Sequence, residues 1–290
     1  MSTSTQAIIL IFVLFGLLEF WRTGLFSKSE QTRDDGIVEA VSSIVLLTAT
    51  QPAIILFTGW LGGQIAPQYA GALAGINVFA AIAAFIILDD MTQYWWHRAS
   101  HTFPWLYNLH RAHHNARYMS VRLVYRNNII YYAMMPGIWL SAALIYLGLG
   151  WVYAGYIVVK MFFITSAHSD MAWDKPLYKH AWASPVMWVV ERVFSTPSTH
   201  HGHHGRYADD PATHYKGNYG NMLFLWDILF GTAKITRSYP ESYGIENLPD
   251  ASLGQQLLWP IFPAKKDAHH DDAAETPDGS KAAGVTFSAR

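Results

Sequence analysis

The sequence predicts an all-α integral membrane protein, with four to five transmembrane helices and a helical cap in which histidines gather around a site for more than one metal. Three observations predict it. The 290-residue chain is 51% hydrophobic and only 14% charged, against roughly 25% charged in ordinary soluble domains. Its apolar residues fall into stretches approaching the roughly 17 to 25 residues that cross a bilayer as a helix. Its 14 histidines concentrate in a few short windows that follow those stretches.

The first stretch, residues 6–21, has no Lys or Arg before it and no small-residue cleavage site after it, so it reads as a retained helix rather than a signal peptide. The others cover residues 37–60, 73–88, 129–149 and 151–167. The last two meet at Gly148 and Gly150, as a tight helical hairpin would. This gives five spans, or four full spans and a shallow one. Arg22, Lys28 and Arg33 follow the first span, Arg98, Arg111, Arg117, Arg122 and Arg126 the third, and Lys175, Lys179, Arg192 and Arg206 the fifth, whereas residues 61–72 carry no charge. Because Lys and Arg favour cytoplasmic loops, five spans put the N-terminus outside and every histidine cluster on the cytoplasmic face of an inner, cytoplasmic membrane. Residues 184–196 and 221–230 are apolar but too short to span, and are expected to lie in the interface or pack over the site. The expected organisation is therefore N-terminal membrane helices over 1–72, a catalytic domain over 73–235, a cap segment over 236–263, and a disordered, charge-rich tail over 264–290 that contains His269 and His270.

Composition also excludes. A formal net charge of −1 gives nucleic-acid binding no electrostatic support, and the absence of cysteine removes disulfides, zinc fingers and iron–sulfur clusters. Metal binding falls to the histidines. His97 and His101 are four residues apart, one helical turn on one face. His110, His113 and His114 form HxxHH, and His200, His203 and His204 repeat that spacing. A compositional accident, or polar anchoring beside Trp95, Trp96 and Trp105, would not be expected to give the same pattern twice. His168 stands alone, able to ligate or simply to bond a backbone carbonyl. His201, between two candidate ligands, reads as support, and His180 and His214 as surface or supporting residues.

Imidazole suits zinc, copper, iron and nickel, and structural zinc is satisfied by four ligands. So many histidines fit two ions with open positions. Soluble di-iron bundles use Glu-x-x-His pairs, which these clusters lack. Two neighbouring irons can reduce dioxygen to an oxidant that attacks unactivated C–H bonds, of the kind lipid chains offer at a membrane surface. Transport of metal ions is the rival from another class. It would call for ionisable residues along the spans, where only Glu19, Glu39 and Lys160 occur.

The strings DDMTQYWWHRASH, LHRAHHNARYMSVRLVYRN, TPSTHHGHHGR and NYGNMLFLWDILFGT, in this order over about residues 80–235, resemble the fatty acid hydroxylase and sterol desaturase superfamily. The resemblance implies a membrane di-iron oxygenase acting on fatty acyl chains, sterols, carotenoids or related lipids. Hydroxylation is the expected reaction, with dioxygen as co-substrate, and desaturation is the alternative. It also supports His168 as a ligand, although Ser169 and Asp170 stand where the family often has Ser-Asn. The nine expected ligands are thus His97, His101, His110, His113, His114, His168, His200, His203 and His204, holding two irons that cycle between Fe2+ and Fe3+. Asp90 is expected to orient an imidazole or cap the third span, and Tyr94 to reach bound oxygen or a ligand. Arg126 is expected to meet a headgroup or Asp227. With no flavin or nicotinamide fingerprint, electrons must come from a separate chain, a ferredoxin or cytochrome with its reductase.

Overall fold

A computed structural model describes residues 2–263 apart from 27, 29 and 247. The tail expected over 264–290, with His269 and His270, lies outside the described residues. Within them the chain is helices and turns, and extended pairing is limited to two isolated bridges, Phe194 with Leu223 and Gly205 with Tyr243.

Helix α1 (Thr3–Arg22) starts where the Ser2 side chain accepts from the Thr5 amide. Helix α2 (Arg33–Ile65) starts at a reciprocal Thr32–Asp35 capping box and passes through a π-helical turn at Leu46–Thr50. Helix α3 (Val78–Thr102) carries its apolar first half through a second π-helical turn, Ile86–Met91, into a polar second half bearing His97 and His101. Helix α4 (Pro104–His114) begins with proline at its first position. Helices α5 (Pro136–Leu144) and α6 (Gly150–His168) follow.

Four stretches are long and apolar enough to cross a membrane: Thr3–Arg22, Arg33–Ile65, Val78–Thr102 and Pro136–His168. Their outward faces expose Leu10, Leu17, Leu56 and Phe79, a surface that suits lipid and not water. The fourth stretch reverses direction within itself. Gly148 has φ +102°, a conformation open to glycine at little cost, and a Cβ there would come 3.0 Å from the Gly71 backbone. Eleven residues before it, Gly137 lies against Asp89; twelve after it, Lys160 bonds the same carboxylate. The hairpin expected at Gly148 is therefore present. Its first leg is shorter than the expected 129–149, because Asn127 and Asn128 are buried in hydrogen bonds to the cap and Pro136 opens the helix.

The chain runs so that the two histidine groups and the basic segments between the spans collect at one end. The ends of α1 and α6 meet there, where Lys28 pairs with Asp170 at 2.7 Å. The start of α2 joins them through Asp35 and Arg126 at 2.7 Å. At the opposite end the charge-free loop 66–77 packs on the hairpin tip, with Gly71 N bonded to Tyr146 O and Leu73 N to Leu147 O. The three basic segments thus share the histidine end.

Over that end lies the cap. Helix α7 (Ser184–Val193) buries Met187 and Glu191 and exposes Val186, Trp188 and Val189. Helix α8 (Pro197–His204) is wholly buried. Helix α9 (Leu225–Phe230) ends on Gly231 at φ +71°, the glycine stop its sequence predicts. Helix α10 (Leu253–Leu258) closes the cap against α2 and α4, where Leu257 packs with Val38 and Ala112.

Candidate metal centre

The nine histidines expected as ligands come together in two adjacent groups. His97, His101, His110, His114 and His203 form one, and His113, His168, His200 and His204 the other; within each, one ligand nitrogen per residue lies within 4.8 Å of the rest. The HxxHH spacing explains the division. On α4, His110 and His114 face one group and His113 the other, and on α8, His203 joins the first while His200 and His204 join the second. The groups share a wall, with the His114 and His204 rings stacked at a centroid distance of 4.4 Å.

Hydrogen bonds fix which nitrogen points inward. His97 Nδ1 meets the Tyr219 carbonyl at 2.7 Å, and His203 Nδ1 the Gly217 carbonyl at 2.7 Å. His113 Nδ1 meets the Arg126 carbonyl at 3.1 Å, and His168 Nδ1 the Ile164 carbonyl at 2.8 Å. A carbonyl only accepts, so each Nδ1 carries the hydrogen and each Nε2 presents a bare lone pair. Yet the Nε2 atoms of His97 and His203 lie 3.0 Å apart, and those of His113 and His168 3.4 Å apart. Two lone pairs so placed repel unless a cation stands between them. The Nε2 atoms of His101, His110, His114 and His204 are buried with no partner among the described residues.

A proton cannot be that cation. Burial, reinforced by neighbouring imidazoles, holds His110, His113, His114, His200, His203 and His204 well below the ordinary imidazole range, so these rings are neutral near pH 7. Neutral, pre-aimed imidazoles without thiolate or carboxylate fit transition-metal ions, one per group. With five and four donors, each group leaves positions open on a six-coordinate ion.

The remaining residues singled out from sequence sit around this core. His201 points away from both groups, its Nδ1 3.0 Å from the Tyr243 hydroxyl and its Nε2 3.2 Å from the Ser169 carbonyl. Asp90 accepts from Trp226 Nε1 at 2.8 Å and Leu223 N at 3.3 Å, and no imidazole is among its partners. The Tyr94 hydroxyl bonds Thr232 at 2.9 Å and receives Arg98 at 3.3 Å, while its ring packs on Tyr219. Asp227 joins these contacts by accepting from Thr232, Tyr219 N and Gly220 N. Both residues therefore steady the 219–227 segment whose Tyr219 carbonyl holds His97. Arg126 bonds Ala112 O, Gln256 and Asp35 and not Asp227. Its buried guanidinium lies beside the acidic start of α2, out of reach of α9.

Other supporting residues escaped the sequence reading. Asn127 Oδ1 holds His110 Nδ1 at 2.9 Å. Glu19, fully buried on α1, accepts from Ser120 Oγ (2.7 Å), Val121 N (3.1 Å), Ser169 Oγ (2.9 Å) and Asp170 N (3.0 Å). The available signal was charge inside apolar runs, which marks Glu19, Glu39 and Lys160 alike.

Below the histidines opens a cavity of about 1250 Å³ between α1, α2, α5 and α6, larger than the roughly 300–1,000 Å³ typical of small-molecule sites. Ile8, Phe12, Leu47, Ile138 and Ile157 line it together with His97, His110, His113 and His168.

Four stretches long and apolar enough to cross a membrane, a two-part histidine cluster and an apolar cavity beside it define a multi-pass membrane protein. The fatty acid hydroxylase family profile matches residues 82–232, half of the chain, and the protein belongs to that family. It is similar to alkylglycerol monooxygenases of Danio rerio (28% identical over 146 residues, 49% of this chain), Caenorhabditis elegans (28% over 167 residues, 55%) and Homo sapiens (26% over 148 residues, 49%). The aligned region spans 28% of the length of each of these relatives. No solved structure matches the chain.

Proposed function

We propose that this chain is a membrane-bound monooxygenase that hydroxylates a C–H bond of a lipid, using dioxygen and electrons from a separate donor. The observation that carries the reading is that members of both histidine groups line an apolar cavity between the apolar helices. Iron is the metal proposed for both groups, with the nine histidines as its ligands. Two irons, when bound, supply from dioxygen and two electrons an oxidant able to take hydrogen from an unactivated C–H bond.

The chain's own residues do the rest. Apolar side chains of α1, α2, α5 and α6 receive a lipid tail, keep water out and direct one methylene toward the histidines. The carbonyls of Tyr219, Gly217, Arg126 and Ile164 and the Asn127 amide hold five rings in the tautomer that ligates. Tyr94 and Asp90 act as positioning residues through the 219–227 segment. The substrate is a fatty acyl chain, a sterol, a carotenoid or a related lipid, and the relatives' name adds alkyl glycerols. A ferredoxin or cytochrome with its reductase delivers electrons at the histidine end, and the Lys and Arg gathered there support a cytoplasmic position for that end at the inner membrane.

Membranes from cells making the wild type and His113→Ala, supplied with labelled dioxygen, test this by lipid mass spectrometry. The wild type is expected to give a lipid carrying one labelled oxygen, and His113→Ala to lose essentially all of it. Equal product from the variant would overturn the ligand assignment, and loss of two hydrogens without label would make the reaction a desaturation.

A further inference from the structure

One wall of the cavity carries polar groups that the proposed chemistry does not use. Asp89 and Gln93 precede His97 on α3 by two turns and one turn, and Lys160 precedes His168 on α6 by two turns. At 1.5 Å per residue these stand about 12, 6 and 12 Å from the histidine layer. Lys160 Nζ donates to Asp89 Oδ2 at 2.6 Å, and the Tyr156 hydroxyl donates to the same oxygen at 2.9 Å. Both members of the pair line the cavity, and an ion pair at that depth is expensive unless it serves a purpose. The ammonium carries three donors, and only the bond to Asp89 is present among its hydrogen bonds. Gln93 and Ser141 also line the cavity, and among the described residues the Gln93 amide oxygen and the Ser141 hydroxyl oxygen are buried without any partner. Ser141 lies on α5 one turn beyond Gly137, which packs against Asp89.

These groups specify a ligand. The pair is neutral overall, so a carboxylate drawn to Lys160 would sit against Asp89, and a cation drawn to Asp89 would meet Lys160. A bare hydrocarbon would leave the Gln93 oxygen and the Ser141 hydroxyl unsatisfied, at a cost of about 1–3 kcal/mol each. A hydroxyl can accept from Lys160 and donate to Gln93. We propose that Lys160, Asp89, Gln93 and Ser141 form a subsite for the hydroxyl of an uncharged lipid, and that the protein selects such lipids over free fatty acids and hydrocarbons. The hydroxyl then lies one to two helical turns from the histidines, and the carbon presented to them is several bonds away along the same molecule.

This inference rests on the lipid reading above, and a binding experiment separates the two. The full metal-loaded chain in lipid nanodiscs is titrated with radiolabelled hexadecan-1-ol, palmitate and hexadecane, and binding to empty discs is subtracted. Hexadecan-1-ol is expected to bind about tenfold more tightly than the other two, the weight of one net hydrogen bond. Gln93→Leu and Ser141→Ala together are expected to bring the alcohol to parity with hexadecane. Should that variant unfold, Ser141→Ala alone is expected to lose part of the preference with its metal content intact. Palmitate binding tightest, all three probes binding alike, or an undiminished preference in the variants would overturn the subsite and leave the lipid reading standing. Binding of none of them above empty discs would remove both.

Discussion

A ligating imidazole holds its direction only if its second nitrogen is held, and among the described residues Asn127 is the one side chain that does this for a histidine of the first group. Replacing Asn127 with Leu removes the acceptor at His110 Nδ1 and frees the ring to turn or change tautomer. Losses of about 10- to 100-fold in metal affinity follow from such changes. Asn127→Leu is therefore expected to weaken metal binding by that factor, read by titration of the metal-free protein with Fe2+, while Asn127→Asp, which keeps an acceptor, retains most of it. Unchanged affinity in Asn127→Leu would mean that packing alone orients His110. The histidines that gather into the two groups were readable from sequence, because imidazoles at HxxHH spacing have a face and a chemistry. Their partners were not, since the carbonyls of Tyr219, Gly217, Arg126 and Ile164 belong to the backbone and leave no mark in residue type. Asp90 and Tyr94 were noticed for their place beside the cluster, and only the fold shows that their contacts run to Trp226 and Thr232.

The N-terminal helices bear on one metal group more than on the other. Glu19 of α1 ties down Ser169 and Asp170, directly after His168, and Asp35 of α2 pairs with Arg126, whose carbonyl holds His113. Both supported histidines belong to the second group. Glu19→Ala strands two hydroxyls and two backbone amides in a buried place, each costing about 1–3 kcal/mol if it finds no new partner. It is expected to lower bound metal from two ions per chain toward one, measured by elemental analysis of monodisperse protein, with Glu19→Gln intermediate. Two ions retained at wild-type affinity would show that α1 anchors the chain without shaping the centre. The helices were legible as apolar runs. The polar half of α3, beyond the apolar run ending near residue 88, was legible only through its histidines, because it stands in the cap, where burial comes from polar neighbours.

For the molecule as a whole, the buried neutral histidines make stability depend on pH. Burial pushes His201 down from 6.5 to about 4. Above pH 6.5 the folded and unfolded chains are equally deprotonated there, and the residue adds no pH dependence. Between 6.5 and 4 the unfolded chain binds the proton and the folded chain does not, so stability falls as the pH falls. By pH 4 the loss from this residue is about 3 kcal/mol, and His110, His113, His114, His200, His203 and His204 shift in the same direction. Thermal unfolding of the metal-free protein should accordingly decline below pH 6.5, and a flat profile to pH 4.5 would mean that these rings are open to solvent.

The same molecule-wide arrangement fixes which loops share a side of the membrane. Loop 66–77 sits at the hairpin tip and both histidine groups sit at the other end, an arrangement set by direct contacts of Gly71 and Leu73 with residues 146 and 147. The chain has no cysteine, so a single introduced thiol reports without background. Gln68→Cys and Asp209→Cys lie at exposed positions at opposite ends. In sealed vesicles of one orientation, a membrane-impermeant maleimide is expected to label one of them before lysis and the other only after it. With Lys and Arg gathered at the histidine end, Gln68→Cys should be the position labelled from outside intact cells. Labelling of both from one side would contradict the fold, whereas reversed labelling would keep the fold and invert its orientation, moving the electron donor to the opposite face.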